Sequence, residues 1–294
     1  MPVMLRSMVR SRILATAGGL ATAGVIDSML APPVAPFSTA AAAVSAVGTV
    51  RLFQYDICPF CNKIKAMLDL HKIPYETVDV NPLTKKEIKF SKEYRKVPIA
   101  MLGGLEGSGA VQVNDSPLIA DTLLERMELS KAVRSDELAH FRSATSLEWA
   151  EWSDKKLAVL LFPRMTRTFA ESFQAFGYVM QVPHFSMVDK LSNQVVGAFA
   201  MWMAQGKIKK KYAIDDEAAA VREAIAHWLK EGVGEASFAG GQKPHLGDVA
   251  VYGCLKAIDR TSTFSEIMAE TGVKPWYERM TAEVQPGNAC TSRQ

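Results

Sequence analysis

The stretch Tyr55-Asp56-Ile57-Cys58-Pro59-Phe60-Cys61 constrains this chain more than any other. An apolar run, Val50-Arg51-Leu52-Phe53-Gln54-Tyr55, precedes it, and a helical pattern from Asn62 to Leu70 follows. Cys58 therefore falls at a helix N-terminus, where unpaired backbone N–H groups and the helix dipole favour an anion. A thiol placed there ionises more readily, and the thiolate is the nucleophile. Pro59 suits the first helical position, because its missing N–H costs nothing there. Cys61, one turn further in, is shielded and close enough to resolve a mixed disulfide.

Two blander readings compete. A Cys-x-x-Cys pair can be half of a zinc site. The other cysteines, Cys254 and Cys290, are single and distant, and no Cys/His pair has finger spacing. Two inert core cysteines are the other alternative, and the strand and Pro59 argue against them. No metal site is expected. A strand, a short turn and a helix opening with Cys-x-x-Cys form the entry to a thioredoxin-type βαβ unit. Cys-Pro-Phe-Cys resembles the motif of glutaredoxins.

The length, 294 residues, accommodates a leader and two domains. A hydrophobic content of 48% and a charged content of 22% are ordinary for a globular protein. Of the formal net charge of +3, three arginines and one aspartate in residues 1–50 supply +2. The remaining +1 gives no ground for a nucleic-acid surface. Four cysteines do not make a disulfide scaffold, which favours a reducing compartment.

Residues 1–48 differ in composition from the rest. Arg6, Arg10 and Arg12 come early, no acidic residue precedes Asp27, and Pro32, Pro33 and Pro36 sit among Ala, Ser and Thr. This is the profile of an organellar transit peptide, and mitochondrial import is the first expectation. The alternatives are a membrane anchor, including a Golgi or plastid location, and a secretory signal or a plain disordered segment. Residues 1–48 are in any of these cases expected to be disordered. Ile13–Ile26 is too short to cross a hydrocarbon core of ~30 Å as a helix, and lengthening it brings in Asp27. The first folded strand is expected to need nothing before Val50.

Past the cysteines, Tyr75 to Val80 alternates as a strand and ends in Asn81-Pro82. Lys85 to Tyr94 reads as a charged, solvated helix. Val97-Pro98 opens the run Ile99-Ala100-Met101-Leu102, about 40 residues after the motif, and resembles the cis-proline of thioredoxin folds. A cis bond turns the Val97 backbone toward a peptide-like ligand. A plain strand-initiating proline is the alternative. The glycine-rich run 103–109 lacks the features of a phosphate loop and reads as a hairpin. Val111-Gln112-Val113 is a short strand, and Asp115 and Ser116 sit where helix caps belong, which is also where an anion meets backbone N–H groups.

From Asp136 the chain is almost wholly helical in period, after a polar connection over 129–135. Leu138, Phe141, Thr145, Trp149 and Trp152 read as one core stripe. Val188 to Lys207 is Ala- and Met-rich and suits the centre of a bundle, with Lys207, Lys209, Lys210 and Lys211 complementing its C-terminal dipole. His245-Leu246-Gly247-Asp248 resembles the entry to the central buried helix of glutathione transferases, a cap followed three residues later by Asp. The cap here is His245 rather than Ser or Thr, so half of a reciprocal capping box is expected to be missing. Cys254 reads as inert packing.

In order, Tyr-x-x-Cys-Pro-Phe-Cys, Val-Asn-Pro, Glu-Ile-Lys-Phe-Ser, Tyr-Arg-Lys-Val-Pro-Ile and Asn-Asp-Ser resemble the membrane-associated prostaglandin E synthase 2 family over roughly residues 50–283. The resemblance implies a glutaredoxin-like (thioredoxin-fold, α/β) domain over 49–128. An all-α domain like the C-terminal half of glutathione transferases follows over 136–283, with a tail over 284–294. It implies isomerisation of the endoperoxide prostaglandin H2 to prostaglandin E2. Cys58 would be the reactive thiol, with Tyr55 and Cys61 beside it. Val97, Pro98, Asp115 and Ser116 would bind glutathione, and haem held through glutathione is a further family property. Glutathione-linked disulfide exchange through Cys58 and Cys61, or non-catalytic glutathione or haem binding, are the alternatives. The partner is then a lipid endoperoxide or a thiol/disulfide substrate. Membrane attachment and a homodimer stay open.

Overall fold

The computed structural model describes residues 47–103, 109–131, 133–285 and 291–292. The leader up to residue 46, Cys290 and most of the glycine-rich run lie outside the described residues. The first half is built on a mixed sheet. Strands β1 (Val50–Gln54) and β2 (Tyr75–Asp79) pair in parallel, with Leu52 opposite Thr77. Strand β3 (Ile99–Leu102) pairs antiparallel to β1, and β4 (Val111–Asn114) antiparallel to β3. A two-residue β5 (Thr291–Ser292), from the stretch read as a tail, adds to β2 and completes the order β4-β3-β1-β2-β5. The parallel pair needs a crossover, and helix α1 (Pro59–Leu70) supplies it.

Helix α2 (Ser116–Leu129) also packs against α1 and starts two residues earlier than its apolar pattern does. Val47, part of the leader by composition, is fully buried in the core, and its carbonyl accepts from the Arg126 guanidinium at 3.0 Å.

The segment Lys85 to Tyr94 is not a helix. Only Lys86–Ile88 forms a tight turn. Lys85 has a left-handed backbone (φ 51°). Side chains take the carbonyls that helical N–H groups would have used. Arg95 donates to the Ile88 oxygen at 2.7 Å, and the Ser91 hydroxyl donates to that of Tyr94 at 2.7 Å. Apart from Ile88 the stretch has no apolar stripe to bury, so helical propensity had nothing to dock against.

Among the described residues the second half is helical. It runs through α3 (Ser135–Phe141) and α4 (Ala144–Trp152), continued by a wider π turn into α5 (Ala158–Arg164). The aromatic stripe from Leu138 to Trp152 therefore spans two helices. They break at Arg142-Ser143, where the Ser143 hydroxyl caps α4 by accepting the Ser146 N–H. After α6 (Phe169–Ala175), α7 (Met187–Ser192) continues through a π turn into α8 (Ala198–Tyr212), and α9 (Glu217–His227) follows.

The bundle is centred on α10 (Leu246–Lys256), whose residues from Leu246 to Leu255 are all buried. The likeness of its entry to that of the central glutathione-transferase helix is borne out by this burial. The stretch 188–207, also expected to suit the centre, does not take it: α8 buries only Ala198. Helix α10 fits the centre because Gly253 lets it meet α1. A Cβ at Gly253 would lie 2.5 Å from the Lys63 nitrogen. Helices α11 (Ser262–Glu270) and α12 (Lys274–Glu283) close the bundle. No described helix is long and apolar enough to cross a membrane.

Candidate active site

The site begins at the start of α1. Cys58 is its N-cap residue, in extended conformation, with no side chain capping the helix and proline at the first position. The turn before it is held from within. The buried Asn62 amide donates to the carbonyls of Asp56 (2.6 Å) and Cys58 (3.0 Å), and the Cys58 N–H donates to the Tyr55 carbonyl at 3.0 Å.

Cys58 is half-buried and Cys61 fully buried, and both are free thiols. Their ionisations diverge. The Cys58 pKa is lowered, first by the hydrogen bond from the Cys61 thiol, then by the N–H groups of Cys61 and Phe60 and by Lys65, against the opposing effect of burial. Cys61 is pushed well above the usual thiol range by burial, then by its bond to Cys58 and the charge there. One sulfur is thus set up as thiolate and the other as its proton-bearing neighbour.

The remaining predicted residues converge unevenly. Tyr55 and Cys58 pack at the edge of a small apolar cluster that contains Cys61 and Val97. Burial, and then the charge of Cys58, push the Tyr55 phenol up to about 12, so it stays a neutral donor. The Val97–Pro98 bond is cis. The Pro98 carbonyl accepts from the Asp115 N–H at 3.2 Å, which joins this bend to the start of α2. Asp115 caps α2 by accepting from the Ser116 N–H at 2.9 Å and holds φ at 71°, a costly backbone for a residue with a Cβ.

Ser116 is wholly buried, and its hydroxyl has no partner among the described residues. An unpartnered buried hydroxyl is the kind of group that a bound carboxylate can satisfy. Next to it lies a cavity of about 310 Å³ lined by Pro117 and Asp121 of α2, Lys63 of α1, and Glu151, Asp154 and Lys155 of the helical half. This mixed lining fits a zwitterionic tripeptide such as glutathione.

A second cavity, of about 260 Å³, opens beside the cysteine turn. Ile57, Pro59 and Phe60 form one wall, and Phe162, Met201 and Ile208 belong to its apolar remainder. Asp154 borders both cavities. It is paired with the buried Lys63 at 2.5 Å, and its pKa is raised, chiefly by burial. Cys254 also lines this cavity, with its sulfur 3.2 Å from the Ser153 hydroxyl, and burial pushes its thiol up to about 12. Neither cavity is lined by a histidine or arginine. Lys63 and Lys155 supply cations of the kind haem propionates need, but no histidine stands in either lining to serve as an axial imidazole.

Three residues near the thiol were not singled out by sequence reasoning. Tyr94 is pushed up to about 12 by burial, then by Asp115 and both cysteines. Tyr178 is buried, packs with neighbours that touch Tyr55, and is pushed well above the usual phenol range by burial and then by Tyr55. Asp154 is the third. Tyr94 stands inside the Tyr-Arg-Lys-Val-Pro-Ile run, which was a signal. Tyr178 and Asp154 carry no local signal.

The model of the glutathione S-transferase N-terminal domain family matches residues 52–131. Prostaglandin E synthase 2 of Mus musculus is 31% identical over 273 residues, covering 80% of this chain and 70% of that protein. Prostaglandin E synthase 2 of Danio rerio is 31% identical over 274 residues, covering 80% and 71%. Among solved structures, a beta-etherase from Sphingobium aligns with a TM-score of 0.54 at 18% identity, covering 80% of this chain and 96% of that one, a likeness of fold. A thioredoxin-type domain of the glutathione-transferase kind followed by a helical domain is thus the architecture, and a glutathione-related function is supported.

Proposed function

The chain belongs to the prostaglandin E synthase 2 family, and from that premise we propose that it is a thiol-dependent isomerase converting prostaglandin H2 to prostaglandin E2. The observation that carries the reading is the placement of Cys58, half-buried with a lowered pKa, in the turn that walls an apolar cavity of about 260 Å³. An apolar cavity suits a lipid endoperoxide, and the mixed cavity beside Ser116 suits glutathione. The thiol assists cleavage of the O–O bond while a base removes the hydrogen from the carbon that becomes the ketone. The other oxygen stays on its carbon and takes up a proton to become the hydroxyl, so the atoms balance and the reaction has no net redox change. Tyr55, kept as a neutral phenol, supplies a proton donor beside the sulfur.

A second reading rests on a specific contact. Cys61 is hydrogen-bonded to Cys58, the arrangement that dithiol exchange with glutathione mixed disulfides needs. The test presents the purified protein with prostaglandin H2 and, separately, with a glutathione mixed disulfide. The isomerase reading expects product with prostaglandin H2, loss in Cys58→Ser and retention in Cys61→Ser. Turnover of the mixed disulfide alone, lost in both variants, replaces it with the oxidoreductase.

The leader is proposed to direct mitochondrial import and to be removed. N-terminal sequencing of protein recovered from cells checks this. An intact Met1 or Pro2 terminus in a carbonate-resistant membrane fraction would mean an anchor.

A further inference from the structure

The apolar cavity beside the cysteine turn is lined by one carboxylate. The lining is hydrocarbon and thioether apart from the Cys254 thiol, the Tyr212 phenol and Asp154. Asp154 stands in the π turn between α4 and α5, an irregularity that recurs at functional sites. Lys63 of α1, its side chain only 4% exposed, engages Oδ2, and among the described residues no hydrogen bond takes Oδ1. The thiol is near. Cys58 immediately precedes Pro59 in the cavity wall, and the charges of Asp154 and Cys58 both act on the Cys254 thiol. A buried ion pair in an apolar wall adds little stability, since well-packed apolar residues of the same volume do as well or better. A carboxylate kept there is a candidate for chemistry.

We propose that Asp154 is the base that takes the hydrogen from the ketone-forming carbon, and that its place in the cavity selects that carbon. The proposal rests on the isomerase reading and names the group which that reading leaves open. Two ring carbons flank the O–O bond of the endoperoxide, and each carries one hydrogen. Loss of either gives a hydroxyketone, so the product depends on where the base stands. In the step the C–H bond breaks and its proton passes to the carboxylate. The C–H electron pair becomes the second bond of the carbonyl, the O–O bond breaks, and its pair stays on the other oxygen. That oxygen takes a proton from the Tyr55 phenol beside Cys58, and solvent carries the proton on Asp154 back to Tyr55. Nothing is oxidised or reduced overall. The other polar groups of the lining do not suit the task. Burial keeps Cys254 protonated up to about 12, with its sulfur 3.2 Å from the Ser153 hydroxyl, and Tyr212 presents a phenol, not an anion. Burial raises the Asp154 pKa, which strengthens it as a base, and Lys63 opposes the rise and favours the charged form.

The test gives the full chain prostaglandin H2 and reads the rate and the ratio of the two hydroxyketones. Asp154→Asn is expected to lower kcat at least ~100-fold, the lower end of what a positioned base contributes, with KM little changed. Its residual product is expected in the ratio formed by the substrate breaking down in buffer. Asp154→Glu, which keeps the carboxylate, is expected to recover part of the rate and the wild-type ratio. Alkylation of Cys58 by iodoacetamide is expected to run at the wild-type rate in both variants. Should Asp154→Asn misfold because Lys63 is stranded, the Lys63→Met, Asp154→Asn double variant removes both charges and is expected to show the same loss of product preference. A folded variant that lacks the carboxylate and keeps the wild-type kcat and ratio overturns the proposal and leaves the isomerase reading standing. Alkylation of Cys58 that slows in step with turnover also overturns it, because Asp154 would then act through the thiol turn. A wild-type chain that adds nothing to the rate in buffer removes the isomerase reading and the proposal with it.

Discussion

Two helix starts in this molecule face the same physical problem and resolve it in opposite ways. At the head of α10 the unpaired donors are closed off. The Asp248 carboxylate accepts from the N–H groups of Ala239 (2.9 Å), Gly240 (3.0 Å) and His245 (3.1 Å), and from the Trp276 indole (3.0 Å). The His245 ring accepts the Asp248 N–H in return at 3.3 Å, so the capping box is complete. The expectation that half of it would be missing is corrected, because the imidazole Nδ1 reaches the position that a hydroxyl would occupy. At the head of α1 no side chain caps the helix, and the N–H groups of Phe60 and Cys61 lower the pKa of Cys58. The same donors stabilise the fold at one end and an anionic sulfur at the other. The two helices touch at Gly253, so the closed start belongs to the helix that packs behind the open one.

The largest expected effect breaks the closed end. Asp248→Ala strands four donors in a fully buried place and should cost about 3–5 kcal/mol, read as a lower midpoint in urea unfolding. A loss below about 1 kcal/mol would mean that the box is ornamental to stability. Next, Gly253→Ala forces a Cβ onto the backbone of Lys63 and Asn62, and overpacking of this kind costs about 1–3 kcal/mol. Because α1 has to move, alkylation of Cys58 should slow in parallel. A stable variant with a wild-type rate would uncouple the two helices.

The open end is checked by thiol titration. A lowered pKa means that the Cys58 thiolate persists to a lower pH than an ordinary cysteine thiolate and is lost as pH falls through that lowered value. Iodoacetamide at neutral pH should therefore modify Cys58 and spare Cys254, whose thiol stays protonated up to about 12. Cys61→Ala should move the Cys58 transition upward, since the Cys61 thiol is the largest cause of the depression. A transition that stays put would reassign the effect to the helix N–H groups.

The smallest effect on the fold is expected from Asp115→Ala, which removes the cap of α2 at a cost of about 0.5–1 kcal/mol while weakening glutathione binding. Calorimetry that returns an unchanged dissociation constant would confine Asp115 to capping.

Much of the site is legible in the chain itself because its parts are local. A strand, a turn, Pro59 and two cysteines one turn apart define a helix start whatever packs behind them. The Val97-Pro98 bend and the cap at Asp115 are likewise local, since backbone geometry and neighbouring N–H groups lie within a few residues. Tyr178 and Asp154 are different. They reach the thiol region across about 120 and 96 positions of sequence, and nothing in their own surroundings marks them.

The misread helices have the same origin. The stretch 188–207 is apolar on more than one face, and such a pattern fits either a bundle centre or a covered surface. The choice fell to α10 because Gly253 permits backbone-to-backbone approach with α1, which the bulky outward row of α8 does not. Lys85 to Tyr94 has helical composition, yet Arg95 and Ser91 claim its carbonyls. Local chemistry by itself marked the candidate nucleophile, its helix and the order of the α/β and helical halves. Tertiary packing decided which helix is central, which side chains border the thiol and which apolar face is left uncovered, because burial depends on neighbours that sequence distance does not encode.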